Sequence, residues 1–99
     1  MRNISKVQQI PFPDSDIQEN FEFSAVCDDG TFTFKFKWFN DRWNCWVTLP
    51  DGSVRQVGVY PNVISGSGYT DYGCVFSTSL EDIDYNSLFL TTLYLITWE

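Results

Sequence analysis

The side chains that most often carry out chemistry are scarce in this chain. It contains no histidine, so the commonest general base near neutral pH and the commonest metal ligand are both missing. A nucleophilic Ser, Thr or Cys would have to take a carboxylate or one of the lysines of segment 31–38 as its base, and no spacing marks such a pair. The three cysteines, Cys27, Cys45 and Cys74, are odd in number and far apart, which fits neither a disulfide framework nor paired metal-ligand knuckles. They are expected to be reduced and to serve as small apolar side chains on strands. Thirteen acidic residues offer formal candidates for a paired-carboxylate glycosidase, yet a domain this small has no walls to spare for a cleft. The stretch Glu81-Asp82-Ile83-Asp84-Tyr85-Asn86-Ser87 has oxygen donors of the kind calcium takes. It lacks the glycine and the terminal bidentate Glu of an EF-hand loop, and a solvated turn is expected instead. Gly66-Ser67-Gly68 has neither the Lys nor the following helix of a phosphate loop. The expectation is a non-enzymatic protein without metal or cofactor.

Aromatic rings are the abundant resource: four Trp, five Tyr and nine Phe in 99 residues. Trp38 lies in phase with Phe32, Phe34 and Phe36, which assigns it to a core. Trp46 is out of phase with Trp43, Cys45, Val47 and Leu49 and so faces the other way. An outward ring on a β-sheet can stack against a sugar, which makes a carbohydrate-binding module one alternative function. Tyr69 and Tyr72, set among Gly66, Gly68 and Gly73, give the one long loop, 62–73, contact chemistry.

The elements that must position these rings are strands. In Thr31-Phe32-Thr33-Phe34-Lys35-Phe36-Lys37-Trp38 every even position is aromatic and every odd one is Thr or Lys, the period-two signature of a half-buried strand. Phe21, Phe23, Ala25 and Cys27 alternate with polar residues ahead of it, and Asp28-Asp29-Gly30 supplies a hairpin turn. Asn40-Asp41-Arg42 breaks the chain before strand 43–49, and Pro50-Asp51-Gly52-Ser53 is turn chemistry before strand 54–60. A short strand follows at 74–78. The run Leu88 to Glu99 is apolar on both faces, as in a strand covered on two sides, with the second cover expected from a neighbouring chain. The fold class is therefore all-β, a small antiparallel β-sandwich or barrel of about six to seven strands. It forms a single domain over 1–99, with 1–9 as an extended arm.

Six basic against thirteen acidic residues leave a net charge of −7, which disfavours nucleic acid and anionic membrane surfaces as partners. No apolar stretch at the amino terminus has the length of a signal-peptide core, and no window suits a membrane helix. Synthesis as a soluble cytoplasmic protein is expected.

Six ordered stretches carry a resemblance. They are Ile10-Pro11-Phe12 with Phe21-Glu22-Phe23; the Asp29-Gly30 turn; Lys37-Trp38-Phe39-Asn40-Asp41-Arg42 followed by Trp46; Asp51-Gly52 leading to Val57-Gly58-Val59; Tyr72-Gly73-Cys74-Val75-Phe76; and Tyr85-Asn86-Ser87-Leu88 before Leu93-Tyr94-Leu95. Together they resemble the small baseplate plug proteins of contractile-tailed cyanophages and their prophage relatives, over about residues 10 to 97. The family's third stretch runs basic residue, Trp, Asn, Arg; here Phe39 is inserted after Trp38, and a β-bulge is expected there. The resemblance implies a structural virion protein of the tail or baseplate, made in the host cytoplasm, whose partners are hub or spike proteins or further copies of itself. A capsid decoration or host-interaction protein is a further alternative. The residues expected to make the contacts are Trp46, Tyr69, Tyr72, Leu93, Tyr94, Leu95, Ile96 and Trp98, with strand addition to a neighbour's sheet by the Leu88–Trp98 run.

Overall fold

Alternating apolar side chains can leave water only if a second layer covers them, and here two antiparallel sheets cover each other. The computed structural model describes residues 3–14, 16–65 and 72–98. Its strands are β1 (Ile4–Ile10), β2 (Asn20–Cys27), β3 (Gly30–Phe39), β4 (Arg42–Thr48), β5 (Val54–Gly58), β6 (Tyr72–Ser77) and β7 (Thr92–Trp98). One sheet has four strands in the order β2-β3-β4-β5 and the other three in the order β1-β7-β6. The architecture is a seven-stranded β-sandwich.

The four-stranded sheet is a meander whose turns follow from their residues. Cys27 pairs with Gly30 around Asp28-Asp29. Phe39 pairs with Arg42 around Asn40-Asp41, whose φ angles of 56° and 58° are those of a tight hairpin turn with both central residues left-handed. The β3–β4 ladder runs without a register shift through Trp38↔Trp43 and Phe39↔Arg42. The bulge expected at Phe39 is therefore absent: Phe39 is an ordinary paired residue, and the turn absorbs the irregularity. At the next turn Gly52 has φ 91°, and the Asp51 carboxylate accepts the Ser53 amide at 2.8 Å.

Two expectations about the chain ends are corrected. Residues 1–9 are not simply an arm, because Ile4–Ile10 forms β1 and pairs with β7. The run from Leu88 is not one strand: Leu88–Leu90 is a short 3-10 turn, and β7 begins at Thr92. β7 lies between β1 and β6, so both of its edges are already hydrogen-bonded and it cannot add to a neighbour's sheet.

The core is the space between the sheets. Phe32, Phe34, Phe36, Trp43, Cys45 and Val47 from one layer meet Ile10, Cys74, Phe76, Leu93 and Leu95 from the other, all buried. One sheet is a strand wider than the other, and the connections fill the difference. Phe12 stacks on Phe89 with ring centroids 5.0 Å apart, and Phe89 meets Phe21 edge-on at 5.4 Å. At one end Tyr85 stacks on Trp43 at 5.5 Å, and the Trp43 indole N–H donates to the Asp84 carbonyl at 3.0 Å. This internal cover uses much of the aromatic surplus. No helix among the described residues is long and apolar enough to cross a membrane.

Candidate functional site

Function, in a molecule whose described rings are mostly buried or half-buried, falls to what the two sheets show outward. On the outer face of the four-stranded sheet the registers align three rows. Glu22, Lys35, Trp46 and Gln56 lie in one; Ser24, Thr33, Thr48 and Val54 in the next; Asn20, Lys37, Asn44 and Gly58 in the third. Neighbouring strands are about 4.8 Å apart, so Lys35 and Gln56 flank the Trp46 ring directly. The Ser24 and Thr33 hydroxyls are hydrogen-bonded at 2.9 Å. A depression of about 470 Å3 opens here, bordered by Glu22, Thr33, Lys35, Lys37, Trp46, Thr48 and Val54.

Charge is sorted by element. Among the described residues the basic side chains Lys6, Lys35, Lys37, Arg42 and Arg55 all lie on strands, whereas Glu22 is the one acid within a strand. The other acids sit in turns and connections. The Trp46 face is thus locally basic on an acidic molecule, because Lys35, Lys37 and Arg42 share it with Glu22 alone.

The outer face of the three-stranded sheet is largely apolar, interrupted by exposed Gln9 opposite Tyr94. Ile4 and Val7 of β1 are 50% and 54% exposed, beside half-buried Tyr94 and Trp98 of β7 and Val75 of β6. A register shift between Ile4 and Lys6 puts Ile4 opposite Trp98 and Val7 opposite Ile96, so Ile4 and Val7 reach the same face although they are three residues apart. Trp98 rests on Gly73, where an added Cβ would run into its ring and come within 2.6 Å of the Ser65 carbonyl oxygen.

The residues expected to form one contact surface are therefore divided. Trp46 is on one outer face; Tyr94 and Trp98 are on the opposite one. Tyr72 turns inward and meets Phe32 edge-on at 5.0 Å. Leu93 and Leu95 are 0% and 1% exposed in the core, and Ile96 is 3% exposed on the outer side. These three are corrected from contact residues to buried ones, because the chain covers them itself. Tyr69 and the 66–71 part of the loop lie outside the described residues.

The remaining candidates for chemistry are occupied structurally. Asp84 accepts the amides of Asn86 and Ser87, each at 3.0 Å, so the acidic stretch closes on its own backbone. Among the described residues no three His, Cys, Asp or Glu side chains converge. The cysteines are free thiols; burial raises Cys45 well above its ordinary range and pushes Cys74 up to about 12. Lys6 bridges to Asp28 at 3.2 Å, and that carboxylate helps keep it charged.

No family model, curated protein or solved structure matches this chain.

The exposed Ile4 and Val7 escaped the sequence, where Ser5-Lys6-Val7-Gln8-Gln9 shows no alternation. The register shift changes the parity of the strand, and only the pairing with β7 reveals it. The lysines beside Trp46 had a signal in the odd-position Thr and Lys of segment 31–38. Their proximity to Trp46 required the register.

Proposed function

We propose that this protein is a non-enzymatic structural component of a phage tail, a plug or adaptor of the baseplate that docks on hub or spike proteins. One observation carries the proposal: the apolar outer face formed by Ile4, Val7, Val75, Tyr94 and Trp98 on a sheet whose other face is already filled. Exposed apolar area rimmed by polar residues is characteristic of surfaces that meet another protein. The overall resemblance to baseplate plug proteins supports the choice of partner. Since β7 is internal to its sheet, strand addition at this sheet falls to the outer edge of β1, and the rest of the contact comes from side chains of this face.

Removing residues 93–99 would delete a central strand and unfold the domain, so the test must stay on the surface. Val7→Lys and Tyr94→Lys leave the core untouched and place charge in the contact. Purified particles from cells carrying either variant are expected to lose the protein by quantitative mass spectrometry, while circular dichroism shows the isolated variants folded. Incorporation of both folded variants at the parental level would sink the proposal. A few copies per particle fit a hub position, and copies in the hundreds would instead indicate a capsid decoration.

A further inference from the structure

The Trp46 face is unused by the proposed docking and lies on the other side of the molecule. We propose that it binds an acidic saccharide, with the Trp46 indole as the stacking platform and Lys35 and Lys37 as partners for the sugar carboxylate.

The composition of the face selects this ligand class. Trp46 is a flat apolar surface surrounded chiefly by hydroxyl, amide and ammonium groups: Lys35 and Gln56 beside it in its row, Thr48 and Asn44 above and below it on its own strand. A pyranose ring has the matching construction, a flat C–H face for the indole and hydroxyls around its rim for the polar groups. A protein contact would need apolar neighbours around the tryptophan to exclude water from a central cluster, and among the described residues bordering the depression Val54, diagonal to Trp46, is the one aliphatic side chain. The depression of about 470 Å3 falls within the usual range for small-ligand sites. Charge then separates acidic from neutral sugars. Lys35 and Lys37 stand on this face against Glu22, and Glu22 lies opposite Lys35 on the side away from Trp46. Glu22 can accept a sugar hydroxyl. Lys37 has no carboxylate partner among the described residues and meets the Phe39 ring at 5.7 Å, which leaves its ammonium available to the ligand.

The test is an NMR titration of the isotope-labelled full chain with tetragalacturonate, a sialylated trisaccharide, neutral maltotetraose and a poly-glutamate peptide. Saturable shifts centred on the Trp46 indole N–H and the amides of 33–37 and 44–48 are expected with at least one of the two acidic sugars. Trp46→Ala should weaken that binding by about tenfold, and Trp46→Phe should retain part of it. The double variant Lys35→Gln, Lys37→Gln should abolish the preference for acidic over neutral sugar, and added salt should weaken acidic-sugar binding in the parent. If Trp46→Ala does not fold, Trp46→Phe and the lysine variant decide. Absence of shifts with both acidic sugars overturns the proposal, and equal affinity for maltotetraose overturns its electrostatic part. Poly-glutamate binding as tight as that of the sugars and indifferent to Trp46 would make the face a general anion patch instead. None of these outcomes bears on incorporation into particles, so this proposal and the structural role stand or fall separately.

Discussion

Cys74 gives up its proton much less readily in the folded sandwich than in the unfolded chain. Its thiol holds the proton to about 12, because burial penalises the thiolate, against an ordinary value of 9.0. Between those values the unfolded chain binds fewer protons than the folded one, so stability falls as pH rises, by about 1.4 kcal/mol per pH unit for each such thiol. Urea unfolding of the parent and Cys74→Ala at about pH 8 and about pH 11 should show the parent losing more stability. In the native protein at mild pH, half-buried Cys27 should react first with an alkylating reagent, and buried Cys45 and Cys74 only on unfolding. Two further residues are testable. The Thr97 hydroxyl is buried without a hydrogen-bond partner among the described residues, so Thr97→Val should raise stability by about 1 kcal/mol. Gly73→Ala should lower it by roughly 1–3 kcal/mol, since neither the Trp98 ring nor the Ser65 backbone can yield without cost; denaturant midpoints measure both.

Turns and edges decide behaviour among the elements. Asp41 occupies a left-handed position at φ 58° that glycine fills without steric penalty. Asp41→Gly should therefore stabilise the β3–β4 hairpin by about 0.5 kcal/mol, and Asp41→Val should destabilise it by roughly 1–2 kcal/mol, read from thermal unfolding. The meander from β2 to β5 was largely legible in the sequence, because alternation and Asp-Gly-type turns are local signals. β1 was not. Lys6 and Gln8 share its inner-facing set with Ile10, and Val7 faces out, the reverse of an amphipathic pattern. That arrangement is tolerated at the rim of the sandwich, where Lys6 reaches Asp28 and stays solvated. The Leu88 run departs from the expected single strand for a related reason: a 3-10 turn that buries Leu88 and exposes Leu90 cannot be told from a strand end by apolar content alone.

For the whole molecule, the two sheets close on different sequence scales. The four-stranded sheet is assembled from neighbouring hairpins, whereas the three-stranded sheet joins β1 to β7 across almost the entire chain. Loop closure between such distant segments is slow, so refolding is expected on the millisecond-to-second scale typical of β-sandwiches, measurable by stopped-flow tryptophan fluorescence. Chains ending before β7 should fail to fold. Charge is also a property of this scale: a −7 total conceals a basic sheet face and acidic turns, so the net value describes solubility better than it describes any one contact.

By itself the sequence determined that the chain is all-β, that its aromatics line one face of alternating strands, and that Trp46 points away from them. Each follows from period-two geometry, which acts between residues close in the chain. Only the tertiary structure decided what covers what. It placed β7 inside a sheet, turned Leu93, Leu95 and Ile96 from contact residues into buried ones, and set Lys35 beside Trp46 by register. The first two depend on pairing between strands far apart in the chain, which leaves no local trace in the order of residues; the third depends on the two-residue Asn40-Asp41 turn, which fixes the β3–β4 register.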